Sequence, residues 1–76
     1  MALIDPVPVT KTLLGTLTED RVFTCERGHV GLTTDDGTGE DYYKLGSGER
    51  LVLTSGLTVS YVRMDTRPAI LHHMPV

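Results

Sequence analysis

The sequence predicts an all-β fold, a small antiparallel β-sandwich or barrel with an extended N-terminal arm. Apolar residues alternate with polar ones in short runs, glycine-bearing turns separate the runs, and no stretch shows helical periodicity. Threonine recurs throughout, and its branched side chain suits a pleated, half-exposed surface better than a helix.

Residues 1–9 read as extended. Pro6 and Pro8 lack an amide hydrogen, and each drives its preceding residue out of the helical region. Edge strands and arms tolerate such spacing, whereas interior strands avoid it. Leu3, Ile4, Val7 and Val9 give this segment apolar contacts. Two readings stand level here: an arm lying across a neighbouring subunit, or a first strand on a sheet edge. Residues 10–17 form a strand that Gly15 bends or bulges. Thr18, Glu19 and Asp20 make a turn, or a single helical turn capped by Thr18. Arg21 to Cys25 is the next strand, 26–28 a turn, and 29–33 another short strand. Residues 34–41 are polar, acidic and glycine-bearing, as an exposed loop should be.

The strongest local pattern spans residues 44–63. Leu51 and Leu53 alternate with Arg50, Val52 and Thr54; beyond Ser55-Gly56, Leu57, Val59 and Tyr61 oppose Thr58, Ser60 and Val62. This alternation predicts a β-hairpin reversed at Ser-Gly. A turn at 64–68 and a short strand at 69–73 complete the chain. The expected organisation is a single β domain over 10–76, preceded by the 1–9 arm or edge strand.

Seventy-six residues sit near the lower limit for an independent core, since domains of about 60 residues bury only about 60% of their unfolded surface. One Phe, three Tyr and no Trp leave the core to Leu, Val and Ile. Small scaffolds are otherwise supported by disulfides, a metal or oligomerisation. The single cysteine, Cys25, excludes an internal disulfide, so self-association or docking on a larger assembly is expected. The net charge of −3 and the scattered Lys and Arg residues argue against nucleic-acid binding. The opening Met-Ala-Leu-Ile-Asp-Pro has neither a basic start nor a long apolar stretch, so no signal peptide is expected. No segment approaches the roughly 20 apolar residues of a membrane helix. Synthesis in the cytoplasm fits the unpaired cysteine.

Cys25, His29, His72 and His73 have the donor types that zinc prefers. Their Cys-x3-His spacing is not a standard half-site, and adjacent histidines on a strand face opposite ways. Structural roles are expected, with no metal or cofactor. A cysteine nucleophile would need an oriented base and a third group, and nothing in the sequence selects one. No enzyme is expected. The stretch Asp35-Asp36-Gly37-Thr38-Gly39-Glu40-Asp41 resembles a calcium loop in composition alone, without the alternating ligands and distal Glu of an EF-hand. The C-terminal segment is more informative, because Ile70, Leu71, Met74 and Val76 are apolar where small proteins commonly fray. Together with Leu3, Ile4, Val7 and Val9 they form the expected protein interface. The opposing reading has both termini packed on the chain's own sheet, closing its edges.

The extended MALIDPVPVT start, the GSGERLVLTSGLTVSYVR segment and the compact length without charge clusters resemble small β-rich virion proteins of tailed bacteriophages. These are capsid decoration or cement proteins and head or tail accessory subunits. The resemblance implies a dimer or trimer that bridges subunits of the major capsid protein or another virion component. It places the protein on the capsid surface after synthesis in the host cytoplasm, without catalysis, cofactor, nucleic acid or membrane. The alternative is a small cytoplasmic protein-binding module, an inhibitor, antitoxin or adaptor, that engages one target through its acidic surface.

Overall fold

The computed structural model describes residues 2–34 and 42–76. Among these residues lie eight strands: β1 (Ala2–Ile4), β2 (Thr12–Thr16), β3 (Arg21–Arg27), β4 (Val30–Thr33), β5 (Tyr43–Leu45), β6 (Arg50–Leu53), β7 (Thr58–Arg63) and β8 (Ile70–Pro75). They form two four-stranded sheets, ordered β1-β8-β3-β6 and β2-β7-β4-β5, and every pairing is antiparallel. The protein is an all-β sandwich. The acidic stretch 35–41 lies outside the described residues.

Strand order defines the topology. Each connection between described strands, except that from β4 to β5, passes from one sheet to the other. The first strand pairs with the last, and each sheet interleaves strands that are distant in sequence. This is the eight-stranded jelly roll, two Greek keys wrapped into a double sheet.

The pairing directions sort the connections into two ends. Segments 5–11, 28–29, 46–49 and 64–69 cross at one end, called here the upper end. Segments 17–20 and 54–57 cross at the other. The two lower crossings dock on each other: the Leu17 amide donates to the Leu57 carbonyl at 2.9 Å, the Gly56 amide to the Leu17 carbonyl at 2.8 Å, and the Ser55 amide to the Asp20 carboxylate at 2.9 Å.

This crossing overturns the hairpin expected over 44–63. Its two arms exist as β6 and β7, but β6 pairs with β3 while β7 pairs with β2 and β4. The alternation was a true record of which residues face the core. Leu53 and Val59 are both buried in it, with Leu51, Leu57 and Tyr61 packed alongside, but they enter from opposite sheets. The Ser-Gly turn is a corner between layers and not a reversal within one. The bulge expected near Gly15 is present as a register shift between Leu13 and Gly15 against β7.

Between the sheets lie Val7, Leu17, Phe23, Cys25, Val30, Leu32, Leu45, Leu53, Val59, Ala69 and Leu71. Val7 reaches this core from the β1–β2 connection, where its amide donates to the Ala69 carbonyl at 2.8 Å. The Arg63 amide similarly donates to the Pro8 carbonyl at 2.8 Å. Residues 2–4 are therefore an edge strand on the chain's own sheet, and residues 7 and 8 are tied to the upper end. Deleting residues 1–9 would open the core and strip the edge of β8, so it does not test an arm in isolation.

Candidate functional site

The interface residues expected from the sequence fall into two groups. Val7 and Leu71, at 1% and 0% exposed, are consumed by the core, and Ile4 packs against it from β1. Alternation turns Ile4 and Leu71 inward while it exposes their neighbours, and Val7 enters the core from the β1–β2 connection. Leu3, Ile70 and Met74 point the other way. Val9 is exposed on the β1–β2 connection, and Val76 is exposed just past β8.

Pleating places Leu3, Ile70, Met74, Val22 and Val52 on the outer face of the β1-β8-β3-β6 sheet. The register sets them in rows: Val52, Val22 and Met74 are cross-strand neighbours, and Arg50, Thr24, His72 and Leu3 form the row beside them. Leu3 is 59% and Val52 53% exposed. Val22 and Val52 were absent from the sequence-based set. They sit at polar-looking positions of their strands, and only the sheet order shows that they adjoin Met74.

The outer face of the second sheet differs. Its positions Gly31, Thr33, Ser60 and Val62 are small or short, and all four are buried. A methyl group added at Gly31 would stand 2.7 Å from the Met64 sulfur and 3.0 Å from the Tyr42 ring, so those two side chains close over the sheet there. At the β2 edge of this face Leu13 is 64% exposed opposite Ser60, but the first sheet is the one that sets several apolar residues side by side. The protein is a slab 31 × 27 × 16 Å, so one broad face offers roughly the 800 Å² per partner of a standard interface.

The zinc-type residues are dispersed. Cys25 lies in the core, where its thiol donates to the carbonyls of Arg27 and Gly28 at 3.3 and 3.4 Å. Burial pushes that thiol up, which keeps it protonated and unreactive. His29 stands at the upper end, paired through Nδ1 with Asp65 at 3.0 Å. His72 and His73 do face opposite ways. His72 bonds Glu26 through Nε2 at 2.9 Å on the outer face, and His73 points inward. Among the described residues, no three His, Cys, Asp or Glu side chains gather as a metal-holding group.

His73 is a structural histidine. Its ring stacks on Phe23 at a centroid distance of 5.0 Å, and its Nδ1 accepts a hydrogen bond from Arg21 Nε at 2.9 Å. A proton on Nδ1 would set two donors against each other. Burial first, and then the Arg21 charge, hold its pKa below the usual imidazole value. The unfolded chain binds that proton near pH 6.5 and the folded chain only at lower pH, so the contribution of His73 to stability falls as pH drops below about 6.5. For one group the slope cannot exceed about 1.4 kcal/mol per pH unit. Melting temperatures at pH 7.5 and 5.5 are expected to differ less in His73→Gln than in the parent. Equal differences would show that His73 does not carry the effect.

No protein-family model matches this chain, and a search of curated proteins returns no match.

Proposed function

We propose that the protein is a non-enzymatic virion subunit, a capsid decoration or cement protein that self-associates and bridges neighbouring capsid subunits. The observation that carries this reading is the apolar outer face of the β1-β8-β3-β6 sheet, where Leu3 and Val52 are exposed and Val22, Ile70 and Met74 lie half-buried on the same face. Contiguous exposed apolar surface on a small domain marks an interaction site, because water contact there costs free energy that a partner relieves. Two further points support it. The jelly roll is a fold used by viral capsid domains, though lectins and cupins share it and the fold alone assigns nothing. The core is also small and poor in aromatics, so association adds stability that the monomer lacks.

The test is native mass by light scattering over a concentration series. A dimer or trimer is expected, and the double variant Leu3→Asp/Val52→Asp should be monomeric with an unchanged far-ultraviolet circular dichroism spectrum. Both positions are exposed, so the charges cost little in the monomer. A parent protein that stays monomeric to about 1 mM, where an association worth about 4 kcal/mol would be visible, overturns self-association through this face.

A further inference from the structure

Three crossings meet at the upper end and enclose an open cleft of about 440 Å³, lined by Arg27, Gly28, His29, Ser47, Asp65, Arg67 and Pro68. We propose that this cleft binds a compact oxyanion, a carboxylate or phosphate group carried by a small polar molecule. It is separate from the apolar sheet face and does not depend on it.

The charge arrangement carries the inference. The chain as a whole is acidic, at −3, yet two arginines, Arg27 and Arg67, line this cleft. Asp65, the carboxylate in the lining, is already occupied. Its Oδ1 accepts the Thr66 amide at 2.6 Å and its Oδ2 bonds His29 Nδ1 at 3.0 Å. These bonds, the Thr66 amide foremost, hold the Asp65 carboxyl below its usual range and keep it ionised. Among the described residues, neither Arg27 nor Arg67 makes an ion pair. Two arginines against the single ionised carboxylate of Asp65 leave the lining positive by one charge, while Glu49 on the neighbouring crossing accepts the Gly46 amide at 2.7 Å; guanidinium matches carboxylate or phosphate with two parallel hydrogen bonds.

The cleft is also held in shape. The Gly48 amide donates to the Cys25 carbonyl at 2.7 Å, the Met64 amide to the His29 carbonyl at 2.9 Å, and the Ser47 hydroxyl to the Glu26 carbonyl at 3.1 Å. The 46–49 crossing is thereby fastened to the end of β3, and the 64–69 crossing to residue 29. The Asp65 bond orients the His29 ring, and the Ser47 oxygen retains lone pairs for a ligand hydroxyl. A volume of this size falls within the range of small-molecule sites, about 300–1,000 Å³.

The test is an amide chemical-shift titration of the whole protein in phosphate-free buffer, using sodium phosphate, sodium acetate and sodium chloride at matched ionic strength. Saturable shifts confined to Gly28, His29, Ser47, Thr66 and Arg67 are expected with phosphate or acetate, half-complete at about 1 mM or below. Chloride should not reproduce them. In Arg27→Ala/Arg67→Ala, whose spectrum should otherwise be unchanged, the shifts should require at least tenfold more anion. Tighter binding of phosphate assigns a phosphate ligand, and tighter binding of acetate assigns a carboxylate. Shifts that do not saturate, that spread over the surface, or that persist undiminished in the double variant overturn the proposal.

Discussion

Replacing Gly28 by alanine is expected to destabilise the protein by about 3 kcal/mol, the sum of two separate costs. Gly28 has φ of +72°, a conformation in which a β-carbon costs about 1–2 kcal/mol. A methyl group there would also stand 2.7 Å from the Pro68 carbonyl oxygen and 3.1 Å from the Ala69 Cα, and forcing atoms into packed space costs about 1–3 kcal/mol. Both obstacles are backbone, so no side chain can swing aside. At 4–8 °C per kcal/mol for domains of this size, the melting temperature should fall by about 12–24 °C. Gly48→Ala is the control. Its φ is +86°, but nothing lies within 4 Å of the added methyl, so only the conformational cost applies. If the two variants melt together, the close approach of the β3–β4 and β7–β8 connections is wrong.

Phe23→Ala is expected to cost about 3–5 kcal/mol, the range for emptying a buried aromatic site. The chain has a single phenylalanine, it is fully buried, and it occupies the centre of the register row Ala2, His73, Phe23 and Leu51. A domain of this length has only about 4–11 kcal/mol in total, so this one substitution should remove about a quarter or more of its stability. Phe23→Leu keeps most of the volume and loses the stacking on His73, so it should remain folded with a smaller loss. Chemical denaturation of the three proteins gives the comparison. A loss below about 1 kcal/mol for alanine would mean that the site collapses around the cavity, against the packing described.

The strands themselves were legible in the sequence. Period-two alternation marked β6 and β7, because one face of each is committed to the core, and the turns between them bounded β2, β3 and β8 to within a few residues. The bulge was legible from Gly15 itself. Partnership was not. Leu51 and Leu53 carry the same pattern whether β6 pairs with β7 or with β3, since alternation records a face and not a neighbour. The error over 44–63 follows directly.

The interface set shows a related limit. Val7 and Leu71 look like their exposed neighbours in composition, and burial separated them only once β1 and β8 were paired. The upper cleft left no sequence signal, because Arg27, Ser47 and Arg67 are far apart along the chain and meet through crossings.

The pairing of β1 with β8 bears on how the chain folds. Sheet neighbours of β1 other than β8 do not exist among the described strands, and β3 likewise waits on β8 for one of its two sides. The β1–β8 pairing therefore closes a loop that spans the other six strands. Wrapped β topologies of this kind fold slowly, because distant segments must be closed together before they gain anything. Until those closures form, β1 and β3 present bare strand edges, the surfaces through which β proteins aggregate.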